Sequence, residues 1–272
     1  MMRTFSFLIT IALVCSPAAL FAQTKSQVPR GPDGKPDLSG VWQGGSTIRG
    51  SWDEANAGLG VGGSGRNPNA QAVLASNDRP AWREAAPYQE WAAKKVLESF
   101  NKRGIDDPTS LCLPGGVPRV VMLGLYPQKI VQTPKEIVIL YEYMNVFRII
   151  PLNAKHPDDP LPSYMGDSVG HWEGDTLVVD VIGFNDKTWL AGTGTLHSED
   201  LHITERYTRV DKDQINYEVT MVDPKVFTKP WTLHSTIMLR EGTRIEEYIC
   251  AENNIDAARL EQLLRQGIKF SR

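Results

Sequence analysis

Between residues 118 and 252 the chain breaks into short β-branched and aromatic runs: "KIVQT", "EIVILYEYMNVFRII", "DTLVVDVIGF", "LHITERYTRV", "QINYEVTMV", "WTLHSTIML" and "RIEEYICAE". Turn clusters such as "EGD", "VDKD" and "REG" separate them. Runs of this kind, punctuated this often, read as consecutive antiparallel strands. Such a meander buries its apolar face by curling on itself. The expected fold is mainly β, a single antiparallel β-barrel or strongly curled sheet. Within "SVGHWEGDTLVVDVIGF", Gly174 and Asp175 fit a tight hairpin turn.

The flanks read differently. Residues 23–80, with "PRGPDGKPDLSG" and "NAGLGVGGSGRNPNAQ", form a Gly/Pro-rich irregular arm that buries too little apolar surface to order itself. Its island "LSGVWQGG", carrying Trp42, is expected to pack on the main body. A helix is predicted from Pro87 to Arg103, with Tyr88, Ala92, Val96 and Phe100 on one stripe and Gly104 closing it. A second begins near Asn254–Asp256, carries Leu260, Leu263 and Leu264, and stops at Gly267. The two helices flank the barrel, and residues 81–272 make one domain.

The opening "MMRTFSFLITIALVCSPAALFAQ" has a basic start, an apolar run and small residues before Gln23, so residues 1–22 read as a signal peptide. The chain is expected to be exported, to the periplasm or beyond. Arg3 is the single charge in that segment, which leaves 28 basic against 32 acidic residues. A near-neutral mixture without a basic run argues against a nucleic-acid partner. No later apolar stretch is long enough to cross a bilayer, so no stable membrane insertion is expected. Beyond Cys15, Cys112 and Cys250 are an even pair in an oxidising compartment, which favours a disulfide over two buried thiols.

Side chains alternate across a strand, and four runs place a carboxylate in phase with apolar neighbours. Glu142 keeps phase with Val138 and Leu140, Glu205 with Ile203 and Tyr207, Glu247 with Ile245 and Ile249, and Asp180 with Val178 and Ile182. An ionised carboxylate among apolar groups needs a partner, a shifted pKa or a wet cavity. Each acid could pair with an arginine, among them Arg119, Arg148, Arg206, Arg240 and Arg244, and four together point to a polar barrel cavity.

All five histidines lie between 156 and 234, and "GTLHSEDLHITER" is the densest polar cluster. His197 precedes the strand and reads as a rim acid–base group, whereas His202 faces away from Glu205 on a regular strand. The spacing fits no strong metal pattern, and no nucleophile elbow surrounds Ser198. Glu142, Glu205, His197 and Asp180 are therefore the candidate catalytic residues. Arg148 or Arg206 would clamp an anion or carbonyl. Asn185 and Trp189, leaving a strand end in "GFNDKTW", with Tyr207 and Glu247, would line the ligand.

The segments "PDLSGVW", "CLPGGVPR", "SVGHWEGDTLVVDVIGFND", "HSEDLHITERYTRVD" and "DPKVFTKPWT" resemble, in this order, a large family of secreted bacterial β-rich proteins. The resemblance covers nearly the whole chain after the signal. It implies an exported β-rich, lipocalin-like domain and supplies no activity for these positions. The expected function is an exported, cofactor-independent enzyme, a lyase, isomerase or hydrolase, acting on a small, partly apolar molecule in the barrel cavity by carboxylate and histidine acid–base chemistry. The alternatives are a lipocalin-like carrier of a hydrophobic small molecule and an envelope-interaction scaffold.

Overall fold

The computed structural model describes residues 28–44, 86–102, 107–192 and 194–254, with positions 258, 262 and 265–267. Residues 1–22, read as a signal peptide, most of the arm, Gly104 and the leucines expected on the last helix lie outside them. Eleven strands are present among the described residues. They are β1 (Gly40–Gln43), β2 (Gln128–Gln132), β3 (Glu136–Tyr141), β4 (Phe147–Pro151), β5 (Asp167–Glu173), β6 (Thr176–Ile182), β7 (Trp189–Ala191), β8 (Thr195–Leu196), β9 (His202–Arg209), β10 (Gln214–Val222) and β11 (Trp231–Leu239). Nine of them form one antiparallel sheet in the order β4-β3-β2-β1-β11-β10-β9-β6-β5, while β7 and β8 pair separately.

The sheet curls until its two edges nearly meet. Leu152, just past β4, bridges Gly170 of β5, and the Asn153 amide donates to the Gly170 carbonyl at 2.7 Å. A Cβ on Gly170 would stand 2.9 Å from Ile150 Cγ2, so the seam closes this tightly only over a residue without a side chain. The meander read from the sequence is thus a nearly closed barrel.

The inward phase of each strand makes the core. Ile137, Ile139 and Tyr141 of β3, Leu177, Val179 and Val181 of β6, and Ile215, Tyr217, Val219 and Met221 of β10 are all buried. The "LSGVW" island does more than pack on the body: as β1 it is a barrel strand between β2 and β11. Trp42 is fully buried, its indole N–H donates to the Leu38 carbonyl at 2.8 Å, and the Arg209 guanidinium lies 5.0 Å from its ring centre. Outside the barrel, α1 (Glu90–Asn101) buries Ala92 and Val96 as its stripe predicts, and a short α2 (Arg119–Met122) buries Val120 and Val121.

Two expectations change. "EIVILYEYMNVFRII" is not one strand, because Met144 and Asn145 adopt φ of 62° and 49° and turn β3 back into β4. "RIEEYICAE" is not a strand at all. β11 is already paired with β10 and β1, so the segment after it meets no free edge. It becomes a strap. The Glu246 amide donates to Glu142 at 2.8 Å, the Asn145 side chain to the Tyr248 carbonyl at 2.5 Å, and the Tyr248 ring packs on Tyr126 and Tyr143 at 5.1 and 5.4 Å.

The strap ends in the Cys112–Cys250 disulfide, which spans 138 residues with the Cα atoms 5.6 Å apart. A link across so long a loop restricts the unfolded chain strongly. Replacing both cysteines by serine is expected to lower the unfolding free energy by about 3–5 kcal/mol, read from guanidinium unfolding of the two forms. Equal midpoints would show that the strap is held by its hydrogen bonds and tyrosine contacts alone.

Candidate functional site

Glu205 faces the barrel interior, as its phase with Ile203 and Tyr207 predicts, and is fully buried. It does not line a cavity as a free acid. Arg148 reaches it from β4 with two bonds, Nη2 to Oε2 at 2.5 Å and Nη1 to Oε1 at 3.2 Å. The Tyr207 and Tyr217 hydroxyls each donate to Oε1 at 2.8 Å, and Arg148 Nη2 also donates to Ser168 Oγ at 2.9 Å. Burial works hardest against the Arg148 charge, but Glu205 together with the Tyr141 and Tyr207 phenols outweighs it and holds the guanidinium pKa well above its ordinary value. Burial, reinforced by the same carboxylate, pushes the Tyr207 and Tyr217 phenols well up. Burial also raises Tyr141 to about 12. Arg148 and Tyr207, expected to meet a ligand, instead saturate Glu205. This is a structural knot, with three donors on Oε1 and the Arg148 guanidinium on Oε2, so the carboxylate is buried and charge-paired rather than free for acid–base work.

His197 is also buried rather than rim-exposed, under the edge of the Phe184 ring at 5.8 Å. Its Nδ1 lies 3.0 Å from the Ser198 carbonyl, so that nitrogen carries the proton, and Nε2 accepts from the Thr188 hydroxyl at 2.6 Å. Both nitrogens are committed. Burial pushes the His197 pKa down, against the pull of the Ser198 carbonyl, Asp223 and Asp186. Beside it, Asp223 accepts from the Ser198 amide at 2.6 Å and hydroxyl at 2.9 Å, which removes Ser198 from any nucleophilic role.

The remaining candidates lie outside the barrel interior. In β3 the inward phase is Ile137–Ile139–Tyr141, and Glu142, just past the strand in the turn toward β4, binds the strap. Glu247 is exposed on that strap. Asn185 is buried and caps its own loop, with Oδ1 accepting from the Lys187 amide at 3.1 Å, and half-buried Trp189 stands in β7. Arg206 points outward and pairs with Glu173 at 2.8 Å.

Asp180 is outward too, because Leu177, Val179 and Val181 take the inner phase of β6. There it joins a chain of alternating acids and imidazoles. His202 Nε2 meets Asp180 Oδ1 at 2.6 Å, and His156 Nε2 meets Oδ2 at 3.0 Å. His156 Nδ1 in turn meets Asp167 Oδ1 at 2.5 Å. The side chains of Asp180 and His202 are 35% and 47% exposed, so this chain, unlike the Glu205 knot, is open to a reactant.

The same outer face bears His171 beside Glu173 on β5 at 3.2 Å and His234 opposite Glu218 at 3.5 Å. Four of the five histidines thus stand on one face, each before a carboxylate. Strand phase reveals His202, His234 and Glu218 once the outward phase is followed as closely as the inward one. His156 sits in an irregular segment, and no periodicity could assign it. Among the described residues no group of three or more His, Cys, Asp or Glu is placed to hold a metal ion, and no helix is long and apolar enough to cross a membrane. No family model, curated protein or solved structure matches this chain.

Removing one partner of a buried pair leaves an uncompensated charge, so Arg148→Met is expected to cost about 3–5 kcal/mol. Adding Glu205→Gln should recover part of that loss, since the amide oxygen still accepts from both tyrosines and carries no charge. Urea unfolding of both variants tests this, and a double variant less stable than the single one would refute it. For His197, whose ordinary pKa is 6.5, the unfolded chain takes a proton before the fold does. Its contribution is therefore complete above that value and falls away as pH drops toward the depressed folded pKa. His197→Asn should flatten the slope of stability against pH in that window, whatever it does to the plateau.

Proposed function

We propose that this chain, as a member of the secreted family its segments resemble, is an exported acid–base enzyme that works on the outer face of β5, β6 and β9. The observation that carries the reading is the 2.6 Å contact between His202 and Asp180. An imidazole that donates Nε2–H to a carboxylate keeps the Nδ1 lone pair as its basic atom, and the carboxylate fixes that tautomer and stabilises the imidazolium formed when the base takes a proton. Asp180 is itself held by His156, which Asp167 anchors from the other side. The base, its orienting acid and a supporting His–Asp pair stand in one line. Proton abstraction from a bound molecule, leading to elimination, isomerisation or hydrolysis, requires no cofactor from such a set.

The interior supports this placement over carriage of a hydrophobic ligand. Trp42, Trp231, Tyr207 and Tyr217 are among the largest fully buried side chains. They occupy the space that a lipocalin-like ligand would need. A scaffold reading draws on a different feature, the outward Phe147 and Ile149 of β4, which are 61% and 49% exposed.

The test incubates the purified mature protein with a small-molecule extract of its own source and compares products by chromatography and mass spectrometry. The native protein is expected to generate new species. His202→Asn and Asp180→Asn should slow their formation by about 10²–10⁴-fold while keeping the native melting profile. Native turnover in both variants would remove the outer site. Compounds retained unaltered would favour a carrier, and neither conversion nor retention would favour the scaffold.

A further inference from the structure

Next to the His202–Asp180 pair, the outer face of β9, β10 and β11 holds a groove of about 440 Å³. Strand register builds it from two adjacent cross-strand rows: Arg206, Glu218 and His234 in one, Thr208, Asn216 and Thr236 in the other. Asp180 stands opposite Thr204 and is therefore the diagonal neighbour of Arg206, with about 7–8 Å between Cα atoms. The groove and the acid–base chain share one surface.

The lining mixes two chemistries. Every outward side chain in it ends in a hydrogen-bonding group, yet more of the exposed lining is carbon than nitrogen or oxygen. Such a groove offers apolar surface to the C–H faces of an occupant and hydrogen bonds to its polar edge. Its charges are also balanced. Arg206 is paired with Glu173 at 2.8 Å, and Glu218 stands between Arg206 and His234 in its row, 3.5 Å from the latter. An ionic ligand would have to break these pairs, and a neutral one would not.

Donors and acceptors then alternate at cross-strand spacing. The Asn216 amide oxygen accepts from Gln214 at 2.8 Å, which leaves its NH₂ group to donate outward, while the Glu218 carboxylate accepts. Planar amide and carboxylate groups beside hydroxyls suit a ligand that presents neighbouring hydroxyl groups, each both donor and acceptor. We infer that the β9–β11 groove binds a neutral saccharide of one or two rings. The inference rests on the acid–base reading only for the fate of the sugar, since the groove stands on its own lining.

The experiment titrates the isotope-labelled mature chain, followed by ¹H–¹⁵N correlation spectra. The probes are glucose, galactose, mannose, xylose, maltose and cellobiose, with galacturonic acid as the charged counterpart. At least one neutral sugar is expected to give saturable shifts at Arg206, Asn216, Glu218 and His234. Glu218→Ala should weaken it by about 10–100-fold, as for the loss of a charged hydrogen-bond partner. Thr208→Val, nearly isosteric, should weaken it less and keeps the test open if the first variant unfolds.

Absence of saturable shifts with every neutral sugar, binding of galacturonic acid alone, or indifference to both substitutions would overturn the inference. His202→Asn separates it from the acid–base reading, because that variant is expected to keep the native sugar affinity. Saturable sugar shifts with no His202-dependent turnover of any extract component leave the groove and remove the enzyme. His202-dependent turnover with no saturable sugar shifts does the reverse.

Discussion

One buried ion pair organises this barrel. Arg148 on β4 and Glu205 on β9 meet inside the wall, near the seam where the sheet's two ends approach. Few backbone bonds cross that seam, so side chains must hold it. Arg148 binds Ser168 of β5 and Glu205 at once, and Glu205 gathers hydroxyls from β9 and β10. Two charges removed from water are tolerable only when nearly every lone pair and proton is satisfied. That requirement fixes where Tyr207 and Tyr217 stand and fills the interior with their rings.

A filled interior leaves most polar side chains to the outside. Each outward row of β5, β6, β9, β10 and β11 carries hydroxyl, imidazole, guanidinium or carboxylate groups, and cross-strand threonine pairs such as Thr176–Thr208 and Thr220–Thr232, both at 2.8 Å, tie the rows together. The backbone beneath is a paired sheet, so these side chains are presented at fixed spacing by a rigid support. The imidazole–carboxylate pairs and the groove on this surface are held in register by the sheet itself. By contrast, the outward side of β2 to β4 is apolar at Val131, Phe147 and Ile149, so the barrel shows two chemically distinct outer faces.

How much of this was legible depends on the strand. In β9 and β10 hydrophobic alternation is clean, and Glu205, Tyr207 and Tyr217 fall on the side the pattern assigns. In β6 both phases are apolar, and only the neighbouring strands make Leu177, Val179 and Val181 the inner set and turn Asp180 outward. In β3 the pattern "EIVILY" is equally two-sided, so alternation does not show that Val138 and Leu140, with which Glu142 keeps phase, lie on the outer side, nor that the strand ends before Glu142. Glu247 failed for another reason, since strand composition cannot form a strand where no sheet edge is free.

The sequence by itself determined the barrel class, most of its strands, the amphipathic α1 and the pairing of Cys112 with Cys250. These follow from local periodicity, turn residues and the even count of cysteines beyond residues 1–22. Only the tertiary structure decided which arginine answers Glu205, that Arg148 rather than Arg206 is inside, and that His156 reaches Asp180 and Asp167 from an irregular segment. Alternation states that two residues share a face, but it does not say which face becomes the interior. Closure settles that, because it is a property of all nine strands together.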